Sequence, residues 1–399
     1  MQIKKAYRFR LKTDKLLEEK LHLYAGHTRF LWNKLLFLNL DRLQSGHRIL
    51  RYQEMDFWSK VWKSSDEYGF LKEAPAHILQ QKMRDLDRAF GDAFDKNQSN
   101  KRLPKKRKRG LHDSFRFPEP KQILIEGNRV KLPKLGWIRF FKSRAILGTL
   151  KNATILKQAG RWYISFQVEL EFEPKQIKGS SEIGLDMGIA FFAMPSKGKG
   201  IRPKSYFRHY EHMLAKAQRS LSRKKKYSKN WHKAKGKVSK VHSKIANARR
   251  DFLHWHSTKL SKNHAIIVVE DLKVSNMSKS AKGTLVQPGK NVQAKSGLNK
   301  SILDQGWSLF RGMLAYKMAW QGKTLISVPP QYTSQKCRKC WHQDKANRKS
   351  QAQFWCVQCG HTENADRHAA HNILAVGRTV AACGDIGGFS TQAQEPIAA

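Results

Sequence analysis

The stretch 337–374 constrains this chain more than any other. It opens on Cys337-Arg-Lys-Cys340, runs on for fifteen residues, and closes on Cys356-Val-Gln-Cys359 followed by GHTENADRHAAHNIL. Two Cys-x-x-Cys knuckles offer four thiolates to one ion, the donor set of a tetrahedral structural zinc site. A redox pair would need only one knuckle. Zinc held by Cys337, Cys340, Cys356 and Cys359 is therefore the first expectation. The remaining cysteine, Cys383, reads as an ordinary thiol near a loose tail. Asp366 follows the second knuckle, at the start of an apolar helical run through Ala369, Ala370, Ile373 and Leu374. A carboxylate at a helix start beside a rigid metal clip is held as a catalytic ligand is held.

The chain has 399 residues, room for two or three domains with cores of their own. It carries 77 Lys plus Arg against 31 Asp plus Glu, a formal net charge of +46. Such an excess spread over many segments calls for a polyanion, and nucleic acid is the default partner. No apolar run approaches the roughly 20 residues that span a bilayer, so no membrane role is expected. The opening MQIKKAYRFRLK has charge but no apolar core and does not read as a signal peptide. Paired cysteines of the metal-binding kind suit a reducing compartment, so the expected location is the cytosol.

Taken in order, residues 2–12 alternate, with Ile3, Tyr7, Phe9 and Leu11 on one face and basic residues on the other. Helical patterning covers 14–44, and Pro75 opens a further helix through Leu79, Met83, Leu86, Phe90 and Phe94. Residues 98–110 form a basic loop, where Lys105, Lys106, Arg107, Lys108 and Arg109 read as phosphate contacts or as a solvated linker. Short strands follow at 114–117, 122–125, 130–132, 137–140, 153–156 and 162–170. These predict a small barrel or sandwich that the strand at 2–12 joins, with the helices of 14–97 inserted. Residues 182–190 read as an apolar strand with Asp186 at its centre. Residues 201–250 hold 17 Lys or Arg and one acid. A stripe of Val238, Val241, Ile245, Ala248, Phe252 and Trp255 makes them a helical hairpin, its charge densest at Arg223, Lys224, Lys225 and Lys226. A second buried strand at 265–269 ends on Glu270 and Asp271. Residues 273–300 read as a long mobile loop, 302–320 as a helix and 324–328 as a strand; beyond Gly377 the chain reads as a tail.

Asp186, Glu270 and Asp366 stand out by context: one within a strand, one at a strand end, one at a helix start. An α/β sheet that gathers them can hold two divalent cations for phosphodiester cleavage. Hard oxygen donors select magnesium or manganese over zinc.

Here the chain resembles TnpB, the transposon-encoded RNA-guided nucleases related to the ancestors of type V CRISPR effectors. The resemblance lies in GLDMGI around Asp186, LSRKKKYSKNW in the basic hairpin, ANARRDFLH at 246–254, IVVEDL at 267–272, YTSQKCRKC at 332–340 and ADRHAAHNIL at 365–374. It covers the C-terminal half closely and the N-terminal half by domain order and the run RDLDRAF at 84–90. It implies a multidomain α+β protein. A wedge β-barrel (1–12 and 112–178) is interrupted by a helical recognition lobe (13–111). An RNase H-like, RuvC-type nuclease domain (179–330 and 361–380) carries an inserted zinc ribbon (331–360), and 381–399 is a disordered tail. By position, Asp186, Glu270 and Asp366 fall on the family's catalytic acids. The implied partners are a guide RNA from the transposon end and double-stranded target DNA, cut next to a short adjacent motif. The polar cluster Gln80, Gln81 and Lys82 is a candidate for reading that motif, because Gln pairs bidentately with adenine; ordinary surface residues are the plainer account. Two positions depart from the family: Trp341 stands where Gly is common, and His368 where Asn is common. The competing functions are a cleavage-silent RNA-guided regulator and a DNA-joining transposase.

Overall fold

Side-chain alternation makes β1 (Gln2–Arg10) a strand that buries Ile3, Tyr7 and Phe9 and exposes its basic residues. Asp14 then caps α1 (Lys15–Gln44), its carboxylate accepting from Leu17 N at 2.7 Å. In this computed structural model, residues 2–98, 100–110, 113–171 and 181–382 are described. The chain divides into two units, Gln2–Glu171 and the part from Phe172 onward.

In the first unit α1 is followed by α2 (Tyr52–Ser64) and α3 (Ala76–Phe94). Pro75 sits just ahead of α3, where its missing N–H is no loss. The chain then forms β2 (Ser114–Phe117), β3 (Leu124–Glu126), β4 (Arg129–Leu132), β5 (Gly136–Arg139), β6 (Thr149–Gln158) and β7 (Arg161–Glu171). Ala159 and Gly160 turn β6 into β7, both at positive φ as the tightest hairpin turn requires. One antiparallel sheet has the order β1-β7-β6-β2, another β3-β4-β5. Phe9, Phe140 and Phe166 pack ring to ring at 5.2–6.2 Å in the core.

The expected barrel does not close. Among the described residues the two sheets meet through an isolated bridge, Leu11 to Phe140. β2, at the far edge, has only four residues, and α1 and α3 pack against it. The fold is mixed α/β with several open sheets.

The second unit is built on β8 (Glu182–Asp186), β9 (Met194–Pro195), β10 (Ile266–Glu270) and β11 (Thr324–Val328), in the order β11-β10-β8-β9. β8, β10 and β11 run parallel and β9 is an antiparallel edge. Helices α4 (Tyr206–Ser222) and α5 (Lys229–Asn263) form the basic hairpin, zipped by Leu214, Val241 and Ile245. Short α6 (Val274–Met277), α7 (Val292–Gln305), α8 (Trp307–Trp320) and α9 (Ala365–Ala382) complete the helices. Ile267 and Val269 pack with α5 and α8, while Val268 packs with Ile373 and Leu374 of α9. A parallel strand covered on both faces reads as a continuous apolar run for this reason. Between β11 and α9 lies the cysteine segment, with hairpin strands β12 (Gln353–Trp355) and β13 (Thr362–Asn364).

Several expectations are corrected. Asp186 ends its strand and does not sit at its centre, because the chain turns after it and returns as β9. Trp255 is exposed; the buried stripe of α5 continues instead through Leu253, Ser257 and Leu260. Residues 273–300 are not one loop, since α6 and the start of α7 lie within them. Their polar composition reflects an exposed helix rather than the absence of one. The predicted helix 302–320 is two, broken at Gly306 with φ +73°. α9 runs past Gly377 to Ala382, and residues 383–399, with Cys383, lie outside the described residues.

Candidate active site

Parallel pairing sets the site. Leu185 pairs with Val269, so the next residues, Asp186 and Glu270, end neighbouring strands at the same carboxyl edge. That edge is where open α/β sheets place their sites. Asp366 lies in the first turn of α9, and α9 packs across β8, β10 and β11. Gly184 allows this approach: a Cβ there would stand 2.2 Å from Ala370 O. Gly377 does the same farther along α9, where a Cβ would lie 2.5 Å from the Val268 methyls.

The three acids share one electrostatic field. Burial pushes Asp186 up to about 7, and the negative charges of Glu270 and Asp366 push the same way. Burial also raises Glu270, opposed by the Thr333 hydroxyl that donates to its Oε1 at 2.7 Å. Burial raises Asp366 as well, opposed by Arg348, whose Nη2 lies 3.8 Å from Asp366 Oδ1. Carboxylates gathered so that each resists ionising need positive charge to be ionised together. This donor set of hard oxygens fits magnesium or manganese. Asp271, next to Glu270, turns the other way: it is half exposed and ion-paired with Arg311.

The four thiols converge. Cys337 and Cys359 Sγ are 3.7 Å apart, Cys340 and Cys356 Sγ 3.5 Å, and all four sulfurs lie within 4.8 Å of one another. A tetrahedral zinc with Zn–S near 2.3 Å would separate its sulfurs by about 3.8 Å, so the cluster fits that ion. The two knuckles repeat one design. Trp341 N donates to Cys337 O at 3.0 Å and Gly360 N to Cys356 O at 2.9 Å. Both residues take left-handed backbone, φ +64° for Trp341 and +70° for Gly360. Glycine suits that place, and Trp341 occupies it with a side-chain strain that Gly360 avoids.

His368 does not reach the acids. It is buried, stacked 3.6 Å over Phe354, with Nε2 2.9 Å from Lys336 O and Nδ1 3.2 Å from Glu363 Oε2. His361, Glu363 and His368 cluster closely enough for a metal, but Arg338 Nε already lies 2.9 Å from Glu363 Oε2. The cluster reads as a clamp between the first knuckle and α9.

The predicted nucleic-acid contacts fall into three groups. Lys105, Lys106, Lys108 and Arg109 are exposed on a loop pinned to α1 by Trp32 Nε1 to Lys105 O, 3.1 Å, and Asn33 to the Arg107 backbone. Arg107 is half-buried and stacks 3.6 Å over Trp32, so it holds the loop. Arg223, Lys224, Lys225 and Lys226 are exposed at the hairpin tip beside Tyr227 and Trp231, whose rings lie 5.5 Å apart. Gln81 is buried and donates to Asp85 at 3.0 Å, which takes it out of reach of a base edge; Gln80 is half-buried. The α3 stripe turns Gln81 inward, a rotation that composition does not reveal. Thr333 and Arg348 were missed by sequence reasoning, because each reaches its acid from a segment with no regular pattern.

Comparison with known proteins follows the same lines. A family model described as "Probable transposase" (OrfB_IS605) matches residues 165–281, and one described as "Cas12f1-like, TNB domain" matches 307–373. A "Helix-turn-helix domain" model matches 1–48, although here those residues form β1 and the single helix α1. The chain is 46% identical over 381 residues to "Putative RNA-guided DNA endonuclease InsQ" of Escherichia coli (strain K12), covering 96% of this chain and 94% of that one. It is 31% identical over 388 residues to a "Putative RNA-guided DNA endonuclease" of Streptomyces pristinaespiralis, covering 96% and 92%. A solved Cas12f1–sgRNA–target DNA complex aligns over 93% of this chain and 99% of that chain, at 14% identity and a TM-score of 0.33.

Proposed function

This chain belongs to the TnpB family of transposon-encoded RNA-guided DNA endonucleases, and from that premise we propose that it cuts DNA at Asp186, Glu270 and Asp366. The observation that carries the reading is geometric: Asp186 and Glu270 end neighbouring parallel strands, and Asp366 opens the helix packed across them. Carboxylates whose charged forms are disfavoured at one sheet edge are candidates for holding cations. Asp186, Glu270 and Asp366 would hold two magnesium or manganese ions, which supply a nucleophilic water and neutralise charge on the leaving oxygen. Asp186, whose carboxyl feels the charges of both other acids, would be one ligand of that site. Glu270 is steadied by the Thr333 hydroxyl. Arg348 balances Asp366 and adds a fixed positive charge for the scissile phosphate. The four cysteines would hold one structural zinc.

The domain reading is part of the proposal. The helices between β1 and β2 act as a recognition lobe (13–111) and the antiparallel sheets as the wedge (1–12 and 112–178). The sheet bearing the acids is a RuvC-type domain of RNase H kind (179–330 and 361–380), with the ribbon at 331–360. A guide RNA pairs with one strand of the target, so base pairing reads sequence and the protein reads only a short adjacent motif. Lys105, Lys106, Lys108, Arg109 and the tip 223–226 would grip phosphates, and Gln80 is the remaining candidate for motif reading. No helix among the described residues is long and apolar enough to cross a membrane. The cytosol is the proposed location.

The test is guided plasmid cleavage in magnesium. The wild type should cut. Asp186→Ala should bind guide and target and leave the DNA intact, since affinity lies in the basic surface. Asp271→Ala should still cut. A wild type that binds without cutting would favour a regulator, and joined products would favour a transposase. Cutting by Asp186→Ala at the wild-type rate would overturn the assignment.

A further inference from the structure

Thr333 is buried, and its hydroxyl faces two acceptors: Glu270 Oε1 at 2.7 Å and Pro330 O at 3.3 Å. A hydroxyl has one proton to give, and the shorter, charge-assisted contact takes it. Glu270 is therefore held by a side chain outside its own strand. Thr333 lies between β11 and the first knuckle, and its backbone is held just as firmly. Asn372 of α9, itself buried, donates Nδ2 to Thr333 O at 2.8 Å and to Lys336 O at 2.7 Å. His368 Nε2 donates to the same Lys336 O at 2.9 Å. The next residue is Cys337, whose N–H donates to His342 O at 2.8 Å within the knuckle.

We propose that Thr333 is a positioning residue for the reaction: its hydroxyl aims the Glu270 carboxylate, and the first cysteine knuckle, through Asn372, sets where that hydroxyl stands. This rests on the reading of Asp186, Glu270 and Asp366 as the nuclease acids. The ribbon then does more than stabilise the fold. One arm, Thr333 before the knuckle, steadies Glu270; the other, Arg348 beyond it, reaches Asp366. Both acids brought in by separate elements are registered against one rigid metal clip. Partners that orient metal ligands are worth about 10–100-fold in metal affinity or activity when removed.

The experiment compares Thr333→Val, which removes the hydroxyl at nearly constant volume, with Thr333→Ser, which keeps it. Manganese affinity is measured on the full-length protein by paramagnetic resonance, with Glu270→Ala as the blank for metal taken up elsewhere. Cleavage is measured as the single-turnover rate of guided DNA, alongside target affinity and melting temperature. Thr333→Val should lose about 10–100-fold in both manganese affinity and cleavage rate, with target binding and melting kept. Thr333→Ser should stay near the wild type in both. Wild-type manganese affinity and rate in Thr333→Val would overturn the proposal. Equal damage in the Val and Ser variants would also overturn it, by pointing to packing instead of the hydroxyl. Should Thr333→Val not fold, Thr333→Ala takes its place in the same titration. If Glu270→Ala itself cuts, the nuclease reading has failed; if it is dead while Thr333→Val behaves as wild type, only the role of Thr333 has.

Discussion

Asp186→Asn should make the magnesium-free protein more stable while it abolishes cleavage. The carboxyl moves from an ordinary 3.8 to about 7 on folding, through burial first and then the charges of Glu270 and Asp366. Between those values the native chain keeps a proton that the unfolded chain has lost. Stability therefore falls as pH rises through this window, the reverse of a salt-bridged aspartate. At about 1.4 kcal/mol for each tenfold change in proton affinity, the ceiling is about 4 kcal/mol above neutrality. Water entry and proton sharing among the acids reduce this, and about 2 kcal/mol is the working figure. Asparagine keeps the shape and removes the charge. By scanning calorimetry in magnesium-free buffer at pH 8, Asp186→Asn should melt about 4–8 °C higher than the wild type. Below pH 3.8, where the folded and unfolded carboxyls are both protonated, the gap should shrink towards zero. Magnesium at pH 8 should stabilise the wild type and leave the variant little changed. A variant no more stable at pH 8, or a gap that does not change with pH, would refute the reasoning.

Other outcomes follow from named contacts. Gly184→Ala puts a methyl 2.2 Å from Ala370 O, so α9 must shift; the variant should lose about 1–3 kcal/mol on denaturant unfolding and cut poorly, because Asp366 rides on that helix. Trp341→Gly relieves a left-handed tryptophan at φ +64° and gives up the Lys336 ammonium, 5.0 Å from its ring; a net gain of up to about 1 kcal/mol should appear as a higher melting temperature and slower zinc loss to chelator. Reversing the charges of Arg223, Lys224, Lys225 and Lys226 should flatten the dependence of log affinity on log salt by about 0.7–0.9 for each phosphate that is no longer neutralised, read by filter binding of guide RNA.

What the sequence determined by itself is local. The knuckles are legible because Cys-x-x-Cys carries its own geometry, and the structure brings those sulfurs to zinc spacing. Period-two alternation marks β1, and helical spacing marks α1, α3 and α5, because those periods report which face is buried. Local context singled out Asp186, Glu270 and Asp366 and the resemblance agreed, but no spacing shows that the first two end adjacent parallel strands. That depends on a crossover through the whole α4–α5 hairpin. Where local signals were weak, tertiary contacts decided. Buried Ile302 and Gln305 anchor α7 within a stretch too polar to read as helix. Gly306 splits one periodic run into two helices, and the antiparallel sheets stay open where short strands read equally well as a barrel. Gln81 faces inward on α3, and Trp255 faces outward on α5. Thr333 and Arg348 meet their acids only because α9 and the ribbon fold back over the sheet edge. A hydrogen bond between residues far apart in the chain leaves no period to read, so its partners appear only once the fold has brought them together.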